Sequence, residues 1–475
     1  MATQYKNLIN GKMVDNGEWL DVVNPATEEV IGQVPACGEA ELNAAVAAAR
    51  TAFESWKKTS MDERRNALRA MAKAISDNTD ELFRLLTAEQ GKPHAQAQQE
   101  IMGAPYMINT QAELDIDDEM NVDSEKESIR TRRVPVGVVG GIVPWNFPVS
   151  MAVQKIVPAV LSGCTIILKP SPFTPLTTLR IAELIADTVP AGVVNIITGE
   201  DSLGPLITSH PDIDKITFTG STATGKKIME GASADLKRIT LELGGNDASI
   251  VLPDADPKKV AEQLFWSSFM NAGQICIAAK RVYIHEDIYD ELSQAIADYA
   301  KQVTVGDGSE QGTGVGPIQN KKQYERVLEL IEDAKDNGYK FLTGGDTDPS
   351  GTGYFVPLTI LDNPPEDARI VAEEQFGPVM PLMKFSTEDE VIERANNSDY
   401  GLAGAVWTAD ADKGVEIAEK LETGTVWVNQ FLKLTPHTPF AGHKQSGFGA
   451  EYGKEGLLEF TYPQVIMVNK ENAPA

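Results

Sequence analysis

The sequence is short of cysteine and histidine, and these shortages exclude several kinds of site. Its three cysteines, Cys37, Cys164 and Cys276, lie far apart in 475 residues, so the sequence contains neither a disulfide framework nor a zinc-binding cysteine pattern. None of the five histidines forms an HxxxH or HExxH pair. We therefore expect no metal site.

Positive charge and long hydrophobic runs are also scarce. The 42 Lys and Arg residues against 69 Asp and Glu residues give a formal net charge of −27, which argues against nucleic acid and anionic membranes as partners. Apolar runs such as VGVVGGIV are far shorter than a membrane span. The segment MATQYKNLINGK has no apolar signal core. We expect a cytoplasmic globular protein with two or three large domains.

Helical and polar segments follow the short strands with turns that are expected over residues 5–35. Apolar residues recur at spacings of three and four in residues 41–56 and 61–92, which predicts two helical stretches, and a further helix is expected over 97–115. Residues 117–135 are polar and partly alternating. They predict a protruding hairpin, as either an inter-subunit strand or a solvated loop.

Two later regions alternate short apolar runs with helical patterns. In residues 136–245 the runs include VGVVGGIV, TIILKPS and RITLELGG, and residues 246–430 repeat the alternation. Strands that are apolar throughout and joined by helices form parallel sheets covered on both faces. The sequence therefore predicts an α/β fold with two such units and ligands at the carboxyl ends of the strands.

Glu242 and Cys276 are the two residues best suited to chemistry. Cys276 can act as a covalent nucleophile, and a carboxylate in the apolar run TLELGG is expected to have a raised pKa that suits a general base. On these two residues alone, a strand end and a small core cysteine would be a slightly better interpretation.

Four other segments carry candidate side chains. Asn146 in PWNFP can donate to an oxyanion, and Lys169 ends an apolar strand where a cation can contact a nucleotide. The segment FTGSTATGKK at 218–227 opens a helix whose free N–H groups suit a pyrophosphate, and Glu374 and Phe376 can hold a ribose and a flat ring. Taken singly, a turn, a loop lysine or a helix end explains each segment about as well or better.

Together these segments closely resemble the aldehyde dehydrogenase superfamily. The resemblance covers essentially the whole chain, from NPAT through PWNFP, KPS, FTGS, LELGG, GQIC, EEQFGP and VWVN to KQSGFG. The interval of 34 residues between the glutamate of LELGG and the cysteine of GQIC is highly specific. The superfamily interpretation now outweighs the structural ones.

The resemblance implies a covalent oxidation of an aldehyde to a carboxylic acid. Cys276 adds to the carbonyl, and the Asn146 side chain and the Cys276 backbone N–H hold the oxyanion. Hydride then passes to a nicotinamide, and Glu242 activates the water that hydrolyses the thioester. By the same resemblance, Lys155 is a lysine near the base and Glu451 a second carboxylate on the proton path.

The cofactor implied by the resemblance is NAD, with NADP or dual use left open. The expected cofactor contacts are Trp145, Lys169, Ser171, Pro172, Gly220, Ser221, Glu374 and Phe376. Strictly NAD-preferring relatives carry a glutamate where this chain has Pro172, and its absence removes both a ribose partner and a repulsion against a 2′-phosphate. NAD is still the preferred expectation, because neither Ser171 nor Pro172 adds a positive charge that would bind the 2′-phosphate of NADP.

The expected substrate tunnel is mostly apolar. Its residues are Phe147, Met151, Gln154, Met270, Ile275, Ile277, Leu432, Leu434 and Phe440. Relatives that oxidise succinate semialdehyde carry an arginine where this chain has Gln154. We therefore expect a neutral, medium-sized aliphatic or aromatic aldehyde, with a semialdehyde as the alternative.

The resemblance also implies a division of the chain and an assembly. We expect a Rossmann-like cofactor-binding domain from residues 1–116 and 136–243, and an α/β catalytic domain from 244–444. A small β bridging or oligomerisation element is expected from 117–135 and 460–475. The partners are then a small-molecule aldehyde and further copies of the chain in a homodimer or homotetramer.

Three other functions compete with this interpretation. CoA-acylating relatives generally lack the hydrolytic glutamate, so Glu242 argues against that reaction. A cysteine hydrolase would need a histidine base, and no histidine lies in a recognisable partner motif. A non-catalytic structural protein on the same fold is the last alternative.

Overall fold

Strands and helices alternate through most of the chain in the computed structural model, which describes residues 2–347 and 350–471. The described strands are, in chain order, β1 (Thr3–Gln4), β2 (Asn7–Ile9), β3 (Lys12–Val14), β4 (Trp19–Val23), β5 (Val30–Pro35), β6 (Glu119–Asp123), β7 (Glu127–Pro135), β8 (Val138–Ile142), β9 (Thr165–Lys169), β10 (Val194–Ile196), β11 (Lys215–Thr219), β12 (Arg238–Glu242), β13 (Asp247–Val251), β14 (Ala279–His285), β15 (Thr304–Val305), β16 (Thr313–Val315), β17 (Lys340–Thr343), β18 (Thr359–Asp362), β19 (Val379–Phe385), β20 (Tyr400–Gly401), β21 (Ala403–Trp407), β22 (Thr425–Val428), β23 (His443–Lys444), β24 (Gly447–Phe448) and β25 (Thr461–Asn469). The α-helices are α1 (Glu39–Trp56), α2 (Met61–Ser76), α3 (Thr79–Gln90), α4 (His94–Ala112), α5 (Pro148–Ser162), α6 (Leu176–Ile185), α7 (Leu203–Ser209), α8 (Thr222–Ala232), α9 (Pro257–Phe269), α10 (Glu286–Ala300), α11 (Lys321–Asp336), α12 (Arg369–Ala372), α13 (Glu388–Asn396), α14 (Ala411–Ala418) and α15 (Gly453–Leu458).

The first large sheet has the strand order β24-β12-β11-β8-β9-β10-β2-β3. Its strands from β12 to β10 are parallel, and β24, β2 and β3 join it in antiparallel pairs. Strands β9 and β11 are buried along their whole length, and helices α1 and α5 pack against β9. The predicted parallel α/β architecture is confirmed for this region.

The second large sheet has the order β17-β18-β19-β14-β13-β21-β22. All of its neighbouring pairs are parallel except the antiparallel edge pair of β17 with β18. Buried apolar side chains form one core cluster around this sheet and two around the first. The chain after β23 returns to the first sheet, where Gly447 of β24 lies opposite Glu242.

A smaller sheet joins the polar hairpin to the C-terminal strand. Strands β6 and β7 form the hairpin expected within 117–135, and β25 pairs with β7 in antiparallel register over Thr461–Asn469. Most of β25 is exposed. The use of this sheet as a bridging element, and the boundaries of the domains, stay predictions.

The helical stretch expected over 61–92 is divided in two. Helix α2 ends at Ser76 and α3 begins at Thr79. The Asn78 amide donates to the Ala74 carbonyl at 2.8 Å and the Thr79 hydroxyl donates to the Ser76 carbonyl at 2.9 Å. These short polar side chains compete with the helical hydrogen bonds and end α2.

No helix within the described residues is long and apolar enough to cross a membrane. In the same parts of the chain, no group of three or more His, Cys, Asp or Glu side chains is placed to hold a metal ion.

Candidate active site

The carboxyl ends of the first sheet bring several predicted residues together. Glu242 ends β12 and lies beside Thr219, the last residue of β11, in the parallel register. Lys169 ends β9 opposite Ile142 of β8, and the turn with Asn146 follows β8 directly. Residues far apart in sequence share this edge because every parallel strand ends on the same side.

Asn146 is fixed in the turn between β8 and α5. Pro148 occupies the first position of α5, where its missing N–H leaves no donor unpaired. The Asn146 amide nitrogen donates to the Gln274 carbonyl at 2.9 Å, and the Asn146 carbonyl accepts from the Asn271 amide at 3.1 Å. One hydrogen of the Asn146 amide is left over, and the side chain lines the cavity described below. It can therefore donate to an anionic oxygen.

The loop before Cys276 has an unusual backbone. Asn271 and Ala272 have φ values of 52° and 54°, and Gly273 follows at 71°. A Cβ on Gly273 would lie 2.1 Å from the Gly377 carbonyl oxygen, so only glycine fits there. Consecutive left-handed residues are costly in an L-chain and are retained where the surrounding structure over-determines them, often at functional sites.

Gly245 lets the two halves of the site approach each other. A Cβ on this residue would lie 2.3 Å from the Cys276 carbonyl oxygen. The chain that leaves β12 after Glu242 therefore passes directly against the backbone of the cysteine. No acceptor among the described residues takes the Cys276 backbone N–H, which leaves it available as a second oxyanion donor.

Cys276 is a neutral thiol in this environment. Burial above all, together with the negative charges of Glu374 and Asp247, raises its pKa to about 12, while Lys280 opposes this shift. A thiol in this state is a weak nucleophile. A base or a new positive charge must therefore help to remove its proton.

Glu242 is a buried carboxyl with little hydrogen bonding. Its side-chain oxygens make no hydrogen bond of normal geometry with a described residue. Burial raises its pKa well above the ordinary value, and the positive charge of Lys155 and the nearby Gly442 backbone N–H oppose that shift. An unpaired buried carboxyl is costly for folding, and a raised pKa suits it to accept a proton near neutral pH.

Lys155 connects Glu451 with the end of β11. Its amine forms an ion pair with the Glu451 carboxylate and donates to the Thr219 hydroxyl at 2.7 Å. Burial lowers the pKa of Lys155 to about 7, against the raising effect of Glu242. The structure thus brings together the lysine expected near the base and the carboxylate expected on the proton path.

All nine predicted tunnel residues line one cavity of about 390 Å³. Cys276, Glu242, Asn146 and Glu451 line it as well. The lining is mostly apolar, and it includes the amide of Gln154, which is 5% exposed. No described residue forms a hydrogen bond with that amide.

A second cavity, of about 280 Å³, meets the first at Asn146, Met151, Thr219 and Cys276. Five of the residues predicted as cofactor contacts line this second cavity: Trp145, Gly220, Ser221, Glu374 and Phe376. The rings of Trp145 and Phe376 meet edge to face with centroids 5.3 Å apart, and Ser221 caps the N-terminus of α8. Burial raises the pKa of Glu374 to about 7, and one of its oxygens accepts from the Gly245 N–H at 3.1 Å.

These features fit a nicotinamide dinucleotide. An α-helix N-terminus at the end of a parallel strand suits a pyrophosphate, and the second oxygen of Glu374 is free for a ribose hydroxyl. Lys169 is 3% exposed and makes no hydrogen bond with a described residue, which leaves its amine for a ligand. Burial lowers the pKa of Lys169 to about 8, and Asp201 opposes this shift.

Three expected cofactor contacts lie outside the lining of this cavity. They are Lys169, Ser171 and Pro172. Ser171 accepts a hydrogen bond from the Phe173 N–H at 3.3 Å, within its own loop. Their role in binding stays a prediction.

Several lining residues were not anticipated from the sequence. Helix α4 contributes Gln99, Glu100, Gly103, Ala104 and Met107 to the larger cavity, and Gln323 and Arg326 of α11 line the smaller one. Neither helix carries a recognisable motif at these positions. Thr219 could have been found, because it lies inside the FTGS segment.

A parallel sheet with a cleft at its carboxyl edge is the arrangement of nucleotide-binding α/β enzymes. The model of the aldehyde dehydrogenase family matches residues 13–466. A probable aldehyde dehydrogenase of a Pseudomonas species is 42% identical over 98% of this chain and 94% of its own length. The NADP(+) succinate-semialdehyde dehydrogenase GabD of Escherichia coli is 39% identical over 96% of each chain.

A solved structure agrees with these relatives. The NAD+ complex of an aldehyde dehydrogenase from Bacillus cereus superposes with a TM-score of 0.96 and 40% identity, over 98% of this chain and 96% of that one. The chain belongs to the aldehyde dehydrogenase family and is an NAD(P)-dependent aldehyde dehydrogenase. The family resemblance seen in the sequence is confirmed.

Proposed function

We propose that the chain oxidises a neutral, medium-sized aliphatic or aromatic aldehyde to its carboxylic acid through a thioester on Cys276. The observation that carries this proposal is the larger cavity, which joins an apolar wall to Cys276, Glu242 and Asn146. Its described lining contains no Lys or Arg side chain. A substrate carboxylate would therefore be buried there without a cation, which is costly.

The polar side chains that line this cavity support a stepwise mechanism. Glu242 accepts the thiol proton of Cys276, and the thiolate adds to the carbonyl carbon. The Asn146 amide and the Cys276 N–H donate to the resulting oxyanion, and an oxyanion donor of this kind contributes about 3 kcal/mol. NAD or NADP, when bound, supplies the hydride acceptor. The thioester left on Cys276 is hydrolysed by a water molecule whose proton Glu242 accepts.

We infer that NAD is used in preference to NADP, with dual use as the alternative. The support is that Ser171 and Pro172 offer no cation to a 2′-phosphate, while Pro172 also offers no carboxylate to repel one. Relatives of both kinds exist, since one solved structure is an NAD+ complex and GabD is an NADP(+) enzyme.

The decisive experiment measures formation of reduced cofactor with NAD and NADP separately. The panel contains aliphatic, aromatic and semialdehyde substrates, with Cys276→Ala as the control. We expect turnover of neutral aldehydes by the wild type and none by the variant. Fastest turnover of succinate semialdehyde would favour the alternative substrate class. No turnover across the panel would favour a non-catalytic protein on this fold.

We also propose that the chain forms a homodimer or a homotetramer. The support is the small sheet of β6, β7 and β25, whose edge strands β6 and β25 pair with no further described strand and in which most of β25 is exposed. An open strand edge is a surface on which another chain can pair.

A further inference from the structure

A buried ion pair lies behind the turn that carries Asn146. Lys92 follows α3 and its left-handed Gly91 cap, and Glu100 lies in α4. Their side chains are 0% and 1% exposed, and the Lys92 amine is 2.5 Å from a Glu100 carboxylate oxygen. Burying two charges is expensive unless both also find good hydrogen bonds.

The hydrogen bonds of this pair all go to the turn and the helix after it. The Lys92 amine donates to the Asn146 carbonyl at 3.0 Å and lies 3.8 Å from the centroid of the Phe147 ring. The other oxygen of Glu100 accepts from the N–H groups of Val149 and Ser150 at 3.0 and 3.1 Å. The pair therefore holds the turn from its carbonyl side and caps the first turn of α5.

This arrangement fixes the residue that donates to the oxyanion. The Asn146 carbonyl accepts from both Lys92 and Asn271, and its amide donates to Gln274. Without Lys92, the Asn146 carbonyl keeps only its hydrogen bond from Asn271, in the loop before the nucleophile. That loop has a left-handed backbone at Asn271, and such a backbone persists only where neighbouring residues hold it. The loop therefore cannot by itself fix the position of the turn.

We propose that Lys92 and Glu100 are positioning residues for catalysis, which hold the Asn146 amide where the oxyanion forms. The inference rests on the proposed function, because it takes Asn146 as an oxyanion donor. Small misplacements of such a donor are costly: a shift of about 1 Å can lower a rate about 100-fold. The competing explanation is that the pair only stabilises the fold.

A double-mutant cycle separates these explanations. Lys92→Met with Glu100→Gln removes both charges at similar volume, so no unpaired charge is left buried. The glutamine oxygen can still accept from the start of α5. The rate measured is the burst of reduced cofactor at saturating aldehyde, in the wild-type and in the Asn146→Ala backgrounds.

We expect the paired substitution to lower the burst rate about 10- to 100-fold when Asn146 is present, with KM changed by less than about twofold. In the Asn146→Ala background the further loss should be less than about twofold, because there is no amide left to position. An equal loss in both backgrounds, or no loss in either, would overturn the inference. An unchanged burst rate in Asn146→Ala alone would overturn both the inference and the oxyanion role in the proposed function.

Two further variants guard against a folding defect. Lys237→Met is the matched control. The Lys237 amine is also buried, donates to the carbonyls of His210 and Ile213, and pairs with Asp235. Lys237 lies before the start of β12, away from the site. It should leave the burst rate unchanged. If the paired variant does not fold, Glu100→Gln alone keeps the Lys92 amine. It is expected to lower the rate less, again only when Asn146 is present, and a loss independent of Asn146 would contradict the inference.

Discussion

Glu242 shows at the scale of a single residue how function overrides stability. A buried carboxyl with two unpaired oxygens is unfavourable for folding, and burial raises its pKa. The same two properties make it a base that accepts a proton from a thiol or from water. Its position at the end of β12 places it on the cavity with Cys276.

Glu242→Gln should block hydrolysis of the thioester more than its formation. We expect release of the acid to fall about 10²- to 10⁴-fold, the usual contribution of a general base. A slower burst of reduced cofactor should remain, because Glu242 also accepts the thiol proton, and mass spectrometry should find acylated Cys276. Glu89→Gln is the control, because Glu89 is equally buried but caps α6. An equal fall in the burst rate and in acid release, with no acylated cysteine, would contradict its role in hydrolysis.

Lys155→Met should change the pH dependence of thioester hydrolysis. The Lys155 ammonium lowers the pKa of Glu242 against the effect of burial, and burial lowers the pKa of Lys155 itself to about 7. Below pH 7 the lysine is charged and favours the carboxylate form that hydrolysis needs. The variant should therefore lose most activity at about pH 6 and least at about pH 9. Decay of the acyl-enzyme after rapid mixing measures this, and an equal loss at every pH would refute it.

Gln154→Arg should shift the substrate preference toward aldehydes that carry a carboxylate. The Gln154 amide lines the cavity without a hydrogen bond from a described residue, so its replacement breaks none. An arginine there can form a bidentate pair with a carboxylate, and a charged hydrogen bond of about 1.5–3 kcal/mol corresponds to roughly 10- to 100-fold in kcat/KM. The readout is kcat/KM for succinate semialdehyde relative to a neutral aldehyde. Gln154→Met is the control that should leave this ratio low.

At the scale of elements, the site forms where the segment after β12 of the first sheet contacts the loop before β14 of the second sheet. The segment after β12 passes against the Cys276 backbone at Gly245, and β24 returns the chain so that Gly447 pairs with Glu242. The nucleophile thus lies between α9 and β14 of the second sheet, while the base ends a strand of the first.

Gly245→Ala should therefore damage both stability and activity. The new Cβ would lie 2.3 Å from the Cys276 carbonyl oxygen, so the loop of the nucleophile must shift. We expect a loss of about 1–3 kcal/mol in the free energy of unfolding and a large fall in kcat. Gly204→Ala is the control, because a Cβ there meets nothing within 4 Å and alanine favours its helix α7. Thermal unfolding and steady-state kinetics test both, and normal activity in Gly245→Ala would show that the loop yields easily.

The sequence predicted those parts of the site that follow a strand or lie in a specific motif. Uniformly apolar runs predicted the parallel strands, and the residues at their carboxyl ends share one edge for topological reasons. The lining from α4 and the pair of Lys92 with Glu100 could not be predicted. They depend on how amphipathic helices pack against one another, and an apolar helix face does not identify its partner.

At the scale of the whole molecule, the small sheet of β6, β7 and β25 is the feature with the clearest consequence for assembly. β25 is an edge strand that pairs only with β7 among the described residues. Val465 and Met467 on it are 51% and 72% exposed. Exposed apolar side chains on an open edge favour association with another chain.

Sedimentation at micromolar concentration should therefore give the mass of a dimer or tetramer for the wild type. Replacing both Val465 and Met467 with lysine places two positive charges on each copy of the edge, so the double variant should shift toward the monomer. Leu236→Lys is the matched control, because Leu236 is 90% exposed and lies in the turn before β12, outside the small sheet. It should leave the mass unchanged. A monomeric wild type would contradict the proposed assembly, whereas an oligomeric double variant would place the interface elsewhere on the molecule.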